Sequence, residues 1–530
     1  MTSIQNGYQN GDLKDLYRLR PHDLQGAMQT KTSVDRAALK IALERYHTDL
    51  GTLNEREGKK LHPRAAELQK QLERLGQANS RVVVAGQQAG LLGGPAFSVH
   101  KAVDAILLAR ALSSDLDNDE VPVLPIFWVA SQDHDALEVR STTLLDMEER
   151  SFHLTVALPE GVPIGDIALE PGWVESVLQA LEPFAAPEAH KRSVLEQIRK
   201  AASGARTYAD WFSRLIHDLL AESGLIVLDP MHPALAELFK PALMRELENP
   251  LEGPQSIEKM ALNLLERGYT PGLRRPEGST NLFLTGEDGQ RRLLRFEKGS
   301  FYADRAYSRA ELEAILEKGA RSITPAAGLR PVLQDTVLPT VAVVLGPGEL
   351  AYATQLLGVY GLHGLEQPLL WPRLKVTWLE PPIARILHKY GLSAAAFQAD
   401  SKGSLERILL ERSGIAANLQ GHLEHFKTDF TAVLGQIGKL DPTLERPIKK
   451  AQSQAENTVQ RLGEKLGRAL YTRENEAERQ FERLERHLLP LGQMQERELN
   501  FFSLLLKHGP TVLERLLAQT AGANVELELT

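Results

Sequence analysis

Short, nearly continuous apolar runs recur through the first three quarters of the chain, and helical stretches separate them. The runs are Arg81–Ala85, Val121–Val129, Leu225–Leu228 and Thr340–Leu345. Such runs are typical of strands that are buried on both faces of a sheet. Between them, apolar residues recur at helical spacing, as in the stretch that ends at Leu112. Strands that alternate with helices predict an α/β fold with a doubly wound, mostly parallel sheet.

The first 80 residues differ from this pattern because they are polar and charged. Helical spacing is visible in Ala37–Leu50 and Pro63–Leu75, and it predicts a helical N-terminal layer over residues 1–80. The predicted core follows, over residues 81–391.

Two stretches interrupt the strand–helix alternation within the core, near residues 140–200 and 268–305. The first includes the strand-like run Phe152–Leu158. In the second, two alternating runs flank Asp288-Gly289, which is a favoured hairpin turn. We therefore expect small insertions that contain β-structure, the second of them a β-hairpin.

Beyond Gly391 the hydrophobic pattern changes to steps of three and four residues, with charged residues between them. This spacing predicts an antiparallel helical hairpin of coiled-coil type over residues 392–490, with arms at 416–440 and 448–488. A helical segment, 491–530, is expected to return to the core. The predicted apolar seam consists of Leu419, Leu423, Phe426 and Phe430 on one arm and Val459, Leu462, Leu466 and Phe481 on the other.

Composition narrows the classes of function. The 530 residues include no cysteine, which excludes disulfides, thiolate nucleophiles and cysteine-based metal centres. Sixty-nine acidic and 61 basic side chains leave a net charge of −8, which argues against general nucleic-acid binding. No apolar run is long enough to span a membrane, and the first 20 residues have no apolar signal core. We therefore expect a cytoplasmic protein that binds neither nucleic acid nor membrane.

A glycine-rich loop over residues 86–94 joins the first strand to a helix. Such a loop can present backbone amides and the positive end of a helix dipole to a phosphate. It matches neither standard nucleotide fingerprint, so a tight turn that needs glycine for packing is an equally good interpretation. The candidate ligand-binding residues here are Gln87, Gln88, Gly93, Gly94 and, on the helix, Lys101, which is placed to meet a phosphate or a carboxylate.

Asp133, His134 and Asp135 follow the second apolar strand. In an open α/β sheet the carboxyl ends of the strands form the ligand crevice. A histidine between two carboxylates is suited to general base catalysis. The alternative is a polar loop in which an aspartate caps a helix; the position at a strand end favours the functional interpretation. No spacing of metal ligands is visible, so we predict no metal site in the protein itself.

The last group of candidates surrounds the strand at Thr340–Leu345. Arg330 is suited to clamp a carboxylate or phosphate, with Gln334 one turn later. Gly346 opens a second glycine loop, and Glu349 either contributes to the site or caps the following helix. Arg373 is either a second anion contact or a structural ion-pair residue. We expect Gln87, Gly93, Gly94, Lys101, Asp133, His134 and Arg330 to surround one pocket at the carboxyl edge of the sheet.

Five segments, in this order, resemble the bacillithiol biosynthesis cysteine-adding enzyme family. They span about residues 81–505 and read VVVAGQQAGLLGGPAFSVHKAVDAILLA, VPVLPIFWVASQDHDALEV, LRPVLQDTVLPTVAVVLGPGELAYATQL, LLWPRLKVTWLE and LLPLGQMQERELNFF. The resemblance implies a Rossmann-like core with insertions and a coiled coil that mediates homodimerisation. Two positions depart from the family pattern, since Gln132 replaces a usual glutamate and Pro325-Ala326 replaces a frequent Pro-Asn.

The resemblance also implies a reaction, in which a ligase joins the carboxyl group of cysteine to the amine of glucosaminyl malate in the last step of bacillithiol biosynthesis. ATP or ADP is the implied nucleotide, with Mg²⁺ as a compatible companion ion. Asp133, His134 and Asp135 are then the candidates for acid–base chemistry. The rival hypothesis is a scaffold without catalytic activity that senses a nucleotide through its core and assembles through its coiled coil. The Gln132 replacement and the long heptads favour it weakly, while the complete Asp-His-Asp loop and Arg330 argue against it.

Overall fold

The chain divides into two units by its internal contacts. The computed structural model describes residues 3–114, 121–440, 443, 445–473 and 475–529. The first unit runs to Lys375 and also includes Leu499–Asn524, and the second comprises Val376–Glu498 and the chain from Val525 onward.

The strands of the described residues, in chain order, are β1 (Arg56–Glu57), β2 (Lys60–Leu61), β3 (Arg81–Gln87), β4 (Val123–Val129), β5 (Ser141–Leu145), β6 (Ser151–Thr155), β7 (Ile226–Leu228), β8 (Ser279–Thr285), β9 (Arg291–Glu297), β10 (Ser300–Tyr302), β11 (Ala306–Tyr307), β12 (Ile323–Pro325), β13 (Thr340–Leu345), β14 (Leu369–Pro372), β15 (Lys375–Leu379) and β16 (Asn524–Glu528).

The α-helices of the same residues are α1 (Ile4–Asn10), α2 (Leu24–Met28), α3 (Arg36–Asp49), α4 (Pro63–Leu75), α5 (Phe97–Ser114), α6 (Ala136–Val139), α7 (Pro171–Leu181), α8 (Glu188–Ser203), α9 (Tyr208–Leu220), α10 (Pro233–Ala236), α11 (Lys240–Glu248), α12 (Glu252–Glu266), α13 (Arg309–Lys318), α14 (Arg330–Val337), α15 (Pro347–Ala353), α16 (Leu357–Leu362), α17 (Pro381–Tyr390), α18 (Ala394–Ala399), α19 (Ser401–Arg412), α20 (Ile415–Leu440), α21 (Glu445–Arg473), α22 (Asn475–Leu488), α23 (Gln495–Glu498), α24 (Phe502–His508) and α25 (Thr511–Leu517).

A parallel sheet forms the centre of the first unit, as predicted. In the part of the chain that the structure describes, its strand order is β14–β13–β3–β4–β7, and every neighbouring pair is parallel. All seven residues of β4 are buried, which requires cover on both faces of the sheet. Val82 and Val84 belong to one buried cluster with residues of α3 and α4, so the predicted N-terminal layer packs on the core. The α/β architecture is thereby confirmed.

The two predicted insertions contain the expected β-structure. The first holds the antiparallel pair β5–β6. In the second, β8 and β9 pair antiparallel across the Asp-Gly turn, with Thr285 opposite Arg291. This hairpin is part of a second sheet, whose order among the described residues is β11–β10–β9–β8–β12. Thr324 lies opposite Phe283 on β8, and Arg291 lies opposite Thr285 on the same strand. Since residues two positions apart on a strand share a face, Arg291 and Thr324 lie on the same side of that sheet.

The second unit begins earlier than the predicted boundary at residue 391. Helix α17, which the sequence pattern placed in the core domain, packs in one buried cluster with α18, α19 and α22. The reason is that α17 has a strongly apolar face, in which Ile383, Ile386 and Leu387 are buried. Phe481 correspondingly packs against Tyr390 and Phe397 rather than extending the predicted seam.

Helices α20 and α21 form the coiled-coil part of this unit and run beside each other, with Lys427 Nζ 3.7 Å from Glu456 Oε1. Phe426 and Phe430 stack at a centroid distance of 5.0 Å. The side chains of Leu419 and Ile437, and the break predicted at Asp441-Pro442, lie outside the described residues. Of the helices that are described, none has the length and apolar character needed to cross a bilayer.

Candidate functional site

The carboxyl ends of the central strands meet at one edge of the sheet, because all five run in the same direction. Gln87, Val129, Leu228, Leu345 and Pro372 are the last residues of these strands. The loops that follow them carry most of the residues that the sequence indicated. This edge is where an open α/β sheet binds its ligand.

The glycine loop after β3 is shaped by backbone conformation. Gly93 and Gly94 both have positive φ angles, +83° and +73°, which glycine adopts without strain. A Cβ at Gly90 would lie 2.7 Å from the Cα of Gly94, so the loop closes on itself. A Cβ at Gly93 would contact Ile216 and Phe502 in the protein interior. These glycines therefore serve the turn, and the structure does not bring Gly93 to the polar residues of the edge.

Lys101 is fully buried and joins two of the loops. Its Nζ donates to Gly86 O at 2.5 Å, to Gln87 Oε1 at 3.2 Å and to Glu349 Oε2 at 2.6 Å. These acceptors use all three N–H groups of the ammonium. Of the two partners the sequence allowed, a phosphate or a carboxylate, the structure shows the carboxylate of Glu349.

Glu349 also caps α15, since its Oε2 accepts the backbone N–H of Gly346 at 2.7 Å. Burial alone would raise the pKa of this carboxyl group, but the Lys101 ammonium outweighs that effect and holds the pKa below its ordinary value. Gly346 and Glu349 thus form a charged, pre-ordered loop end beside Lys101.

Arg330 begins α14 and is partly buried at this edge. Its Nη1 donates to Gln334 Oε1 at 3.2 Å, and Glu349 and Tyr352 are the nearby groups that stabilise its positive charge. Gln334 in turn donates to Asp335 at 2.9 Å. Arg330 is therefore supported by neighbouring side chains rather than swinging freely in solvent.

Arg373 is buried just beyond β14. Its guanidinium lies 5.2 Å from the Phe97 ring centroid and donates to Leu374 O at 3.0 Å. A Cβ at Gly346 would approach Arg373 Nε to 3.8 Å. Both Arg330 and Arg373 act on Lys101 electrostatically, so three cations share this part of the edge.

The loop after β4 connects to the glycine loop. Gln88 Nε2 donates to Asp133 Oδ2 at 2.7 Å, and Asp133 Oδ1 accepts the backbone N–H of His134 at 2.8 Å. Asp135 caps α6 by accepting from Glu138 N at 3.3 Å, which is the structural role that the sequence had left as its alternative.

His134 has a partner that sequence reasoning did not indicate. Arg291, carried by β9 of the hairpin insertion, places Nη1 2.9 Å from His134 Nδ1. Burial lowers the pKa of His134 and the Arg291 charge lowers it further, while Asp133 and Asp135 oppose the shift. Burial likewise lowers the pKa of Arg291, to about 10.

Two more residues of the edge were missed. Glu138 reaches solvent on α6. Its partial loss of hydration raises its pKa, a hydrogen bond with Gln88 opposes the rise, and Asp133, Asp135 and Glu349 add to it. The only feature of the sequence that indicated Glu138 was its place three residues beyond Asp135.

The second missed residue, Asn500, lies in the last of the five similar segments. Its Nδ2 lies 2.8–3.2 Å from Leu91 O, Leu92 O and Gly94 O, which share its two N–H groups.

The structure thus connects most of the predicted residues through direct contacts. Gln87, Lys101, Gly346 and Glu349 form one group, and Gln88, Asp133 and His134 form another. Glu138 interacts electrostatically with Asp133 of one group and with Glu349 of the other. Within the described ranges, no three histidine, aspartate or glutamate side chains are grouped closely enough to hold a metal ion.

Family models cover almost the whole chain. The N-terminal Rossmann-like domain of bacillithiol biosynthesis BshC matches residues 3–374, and the C-terminal coiled-coil domain of BshC matches residues 376–529. The chain belongs to the BshC family. The first family match ends where the first unit's long segment ends, near residue 375, whereas Leu499–Asn524 belongs to the first unit and lies within the match to the coiled-coil domain.

Individual relatives agree with this family assignment. A Thermus thermophilus protein named "Putative cysteine ligase BshC" is 38% identical over 81% of this chain and 84% of its own length. Proteins of the same name from Symbiobacterium thermophilum and Salinibacter ruber are 33% and 30% identical over 91% and 84% of this chain, and over 87% and 82% of their own lengths. A solved structure from Campylobacter jejuni, described as a "putative arginyl t-RNA synthetase", matches 93% of this chain and 100% of its own length at a TM-score of 0.23 and 11% identity. This likeness is too weak to carry an argument.

As a member of the BshC family, the chain is a ligase enzyme of bacillithiol biosynthesis.

Proposed function

We propose that this chain joins the carboxyl group of cysteine to the amine of glucosaminyl malate, with ATP as the activating nucleotide, in the cytoplasm. The observation that carries the proposal is the convergence of the strand-end loops at one sheet edge, where Gln88 contacts Asp133 and Lys101 contacts Glu349. Family membership supports the ligase class. The substrates and the nucleotide are those that the family resemblance implies, and the chemistry of this edge is compatible with them.

Amide formation makes two demands on the site. A carboxylate does not react with an amine in water until it carries a leaving group, and an ammonium ion must lose a proton before it can attack. A nucleotide supplies the leaving group, either phosphate or AMP. The protein must therefore hold an anionic ligand close to a group that accepts a proton.

The residues of the edge fit an anionic ligand. Arg330 and Arg373 add positive charge beside Lys101, whose own charge is already paired with Glu349. The glycine loop leads into the N-terminal end of α5, where the helix dipole favours negative charge. Gln88 Oε1 and Gln132 Oε1 are buried without a hydrogen-bond partner among the described residues, which leaves two acceptors for polar groups of a ligand. Mg²⁺ is the ion that would accompany the phosphates of the nucleotide.

The same edge supplies proton acceptors. Asp133 is held in place by Gln88 and by its own loop, and Glu138 is a carboxylate with a raised pKa. A base with a raised pKa binds the proton of an ammonium ion more readily than an ordinary carboxylate does. We assign proton acceptance to these two carboxylates.

The direct test is to incubate the purified protein with glucosaminyl malate, cysteine and ATP, and to detect the new thiol by alkylation and mass spectrometry. Three control reactions omit one component each. The proposal predicts the amide product only in the complete mixture, with ADP or AMP in equal amount. Accumulation of ADP indicates an acyl phosphate, and accumulation of AMP indicates an adenylate. No product from folded protein would refute the proposal.

We also propose that the chain forms a homodimer through α20 and α21. Phe426, Val433 and Leu462 on these helices are 36%, 46% and 47% exposed. Large apolar side chains along one pair of helices are typical of a surface that another chain covers. The BshC coiled-coil domain occupies the same residues.

A further inference from the structure

We propose that Arg291 fixes His134 as the neutral ring that carries its proton on Nε2, so that His134 donates a hydrogen bond at the reacting centre instead of accepting a proton there. Arg291 is then a positioning residue that acts through His134. This inference rests on the proposed function for the identity of the reaction, but the state of the ring can be tested without it.

The contact between the two side chains determines the tautomer. A guanidinium group can only donate hydrogen bonds. Since Arg291 Nη1 lies 2.9 Å from His134 Nδ1, Nδ1 must be the acceptor. The proton of a neutral imidazole is then on Nε2. Protonation of Nδ1 would set an N–H against the N–H of a cation and would break this contact.

An alternative partner for Nδ1 is Asp133, which would favour a protonated ring. Its Oδ1 lies 3.5 Å from Nδ1, farther than the guanidinium. That oxygen already accepts the backbone N–H of His134 at 2.8 Å, and the other oxygen accepts from Gln88 at 2.7 Å. Both carboxylate oxygens thus already accept other donors, and Arg291 is the nearer partner of the ring.

Arg291 is held firmly enough to impose this state. Its Nε donates to Thr324 Oγ1 at 2.9 Å and its Nη2 to Pro325 O at 2.9 Å. The guanidinium also stacks on Phe283, at 3.8 Å from the ring centroid, and the side chain is 5% exposed. Because these partners lie on β8 and β12, the sheet that contains the hairpin supplies a preformed socket for Arg291.

A fixed Nε2–H suits the amide-forming step. In that step an ammonium ion gives one proton to a carboxylate of the edge, and the amine nitrogen then bonds to the activated carboxyl carbon. The bond from that carbon to the leaving phosphate oxygen breaks, the oxygen keeps the electron pair, and the second nitrogen proton passes to solvent. Negative charge develops on the carbonyl oxygen, where a preoriented N–H donor stabilises it.

The test is nuclear magnetic resonance of the full-length protein labelled with ¹⁵N-histidine, with His134 assigned from its loss in His134→Gln. We expect a neutral ring with the proton on Nε2 at neutral pH, as the contact with Arg291 requires. In Arg291→Met, which keeps an apolar stem against Phe283, we expect the pKa of His134 to rise relative to the wild type, because the Arg291 charge no longer opposes protonation of the ring. Arg291→Lys should restore the wild-type tautomer. The matched control is Arg292→Met, on the same strand, whose guanidinium pairs with Asp288.

A wild-type ring that carries its proton on Nδ1, or that is protonated at neutral pH, would overturn the inference, and once His134 is assigned this result depends only on the wild-type spectrum. An unchanged His134 signal in folded Arg291→Met would also overturn it. The fixed tautomer together with an inactive wild-type enzyme would refute the proposed function alone.

Once product formation is measurable, the activity of His134 variants distinguishes a role as hydrogen-bond donor from a role as general base. Glutamine can donate a hydrogen bond but cannot accept a proton as a base. We therefore expect His134→Gln to retain at least about one tenth of the wild-type kcat and His134→Ala to lose about 10²–10³-fold, the cost of one missing donor. Equal losses in both variants would contradict the donor role.

Discussion

The ion pair between Lys101 and Glu349 is the most deeply buried charge contact of the site. The Lys101 side chain is 1% exposed and its Nζ lies 2.6 Å from the carboxylate. A buried pair gives little net stability, but removal of one partner leaves the other charge without compensation. This pair therefore ties the glycine loop to α15 and keeps the edge in shape.

Glu349→Gln should lower the free energy of unfolding by about 3–5 kcal/mol, because it leaves the Lys101 ammonium buried beside a neutral group. Denaturant unfolding measures this change. The control is Glu73→Gln, which removes the surface pair of Glu73 with Lys40 and should cost about 1 kcal/mol or less. Equal, small effects in the two variants would show that the pair is not structural.

Asp104 makes the free energy of unfolding depend on pH. It is fully buried and accepts the backbone N–H groups of Leu374 and Gly522. Burial raises its pKa to about 7, although these hydrogen bonds and Arg373 oppose the rise. Because the folded state holds the proton more tightly than the unfolded state, the stabilisation is complete below about pH 4 and is lost as the pH rises to about 7.

Asp104→Asn should remove this dependence. Between pH 5 and pH 7 the wild type should lose stability relative to the variant by up to about 1.4 kcal/mol per pH unit. Denaturant unfolding of both proteins at the two pH values measures the difference. A constant difference would mean that Asp104 is ionised throughout this range.

At the scale of single residues, the sequence indicated residue types more reliably than partners. Lys101 was expected to meet a phosphate or a carboxylate, but Glu349 lies 248 positions away, and no local pattern connects them. Arg291 was missed because it lies in an insertion, and only the pairing of β8 with β9 and β12 carries it to His134. Asp135 shows the opposite case, since its role as a helix cap follows from its neighbours in sequence.

Among the elements, the segment Leu499–Asn524 supports the glycine loop. Asn500 is buried, and the two N–H groups of its amide are shared among three carbonyl oxygens of that loop and Thr142 Oγ1, all within 3.2 Å of Nδ2. Its own Oδ1 accepts from Phe502 N at 2.8 Å. One side chain thus supports a turn that begins more than 400 residues earlier.

Asn500→Ala should lower the free energy of unfolding by about 1–3 kcal/mol, because it leaves buried carbonyl groups without a donor. The matched control is Gln519→Ala in the same segment, whose amide contacts only its own helix and whose loss should cost about 0.5 kcal/mol or less. Equal stability of the Asn500 variant and the wild type would contradict the supporting role.

Strands were the most predictable elements. The apolar runs located β3, β4, β7 and β13, because a strand buried on both faces is composed mostly of apolar residues. The boundary of the second unit was not predictable in this way. Helix α17 has the same apolar spacing as a helix that packs on a sheet, and only its contacts with α22 assign it to the other unit.

At the scale of the whole molecule, the property to be tested is the proposed homodimer. Phe426→Glu combined with Phe430→Glu should convert a dimer into a monomer, because each buried phenylalanine contributes about 1.5–3 kcal/mol to an interface and a carboxylate cannot be buried there. Light scattering at micromolar concentration measures the mass. Thr428→Glu is the control, since Thr428 lies about half a turn from both phenylalanines. A wild type that is already monomeric would contradict the dimer.

The central claim is that the carboxyl edge of the sheet forms an amide between cysteine and glucosaminyl malate. The most direct measurement compares thiol product from wild type, Asp133→Asn and Asp288→Asn in the presence of ATP. Asp288 lies in the hairpin turn, where it pairs with Arg292. We predict product from wild type and Asp288→Asn at similar rates, and a rate at least about 100-fold lower from folded Asp133→Asn. Equal rates from all three proteins, or no product from the wild type, would contradict the claim.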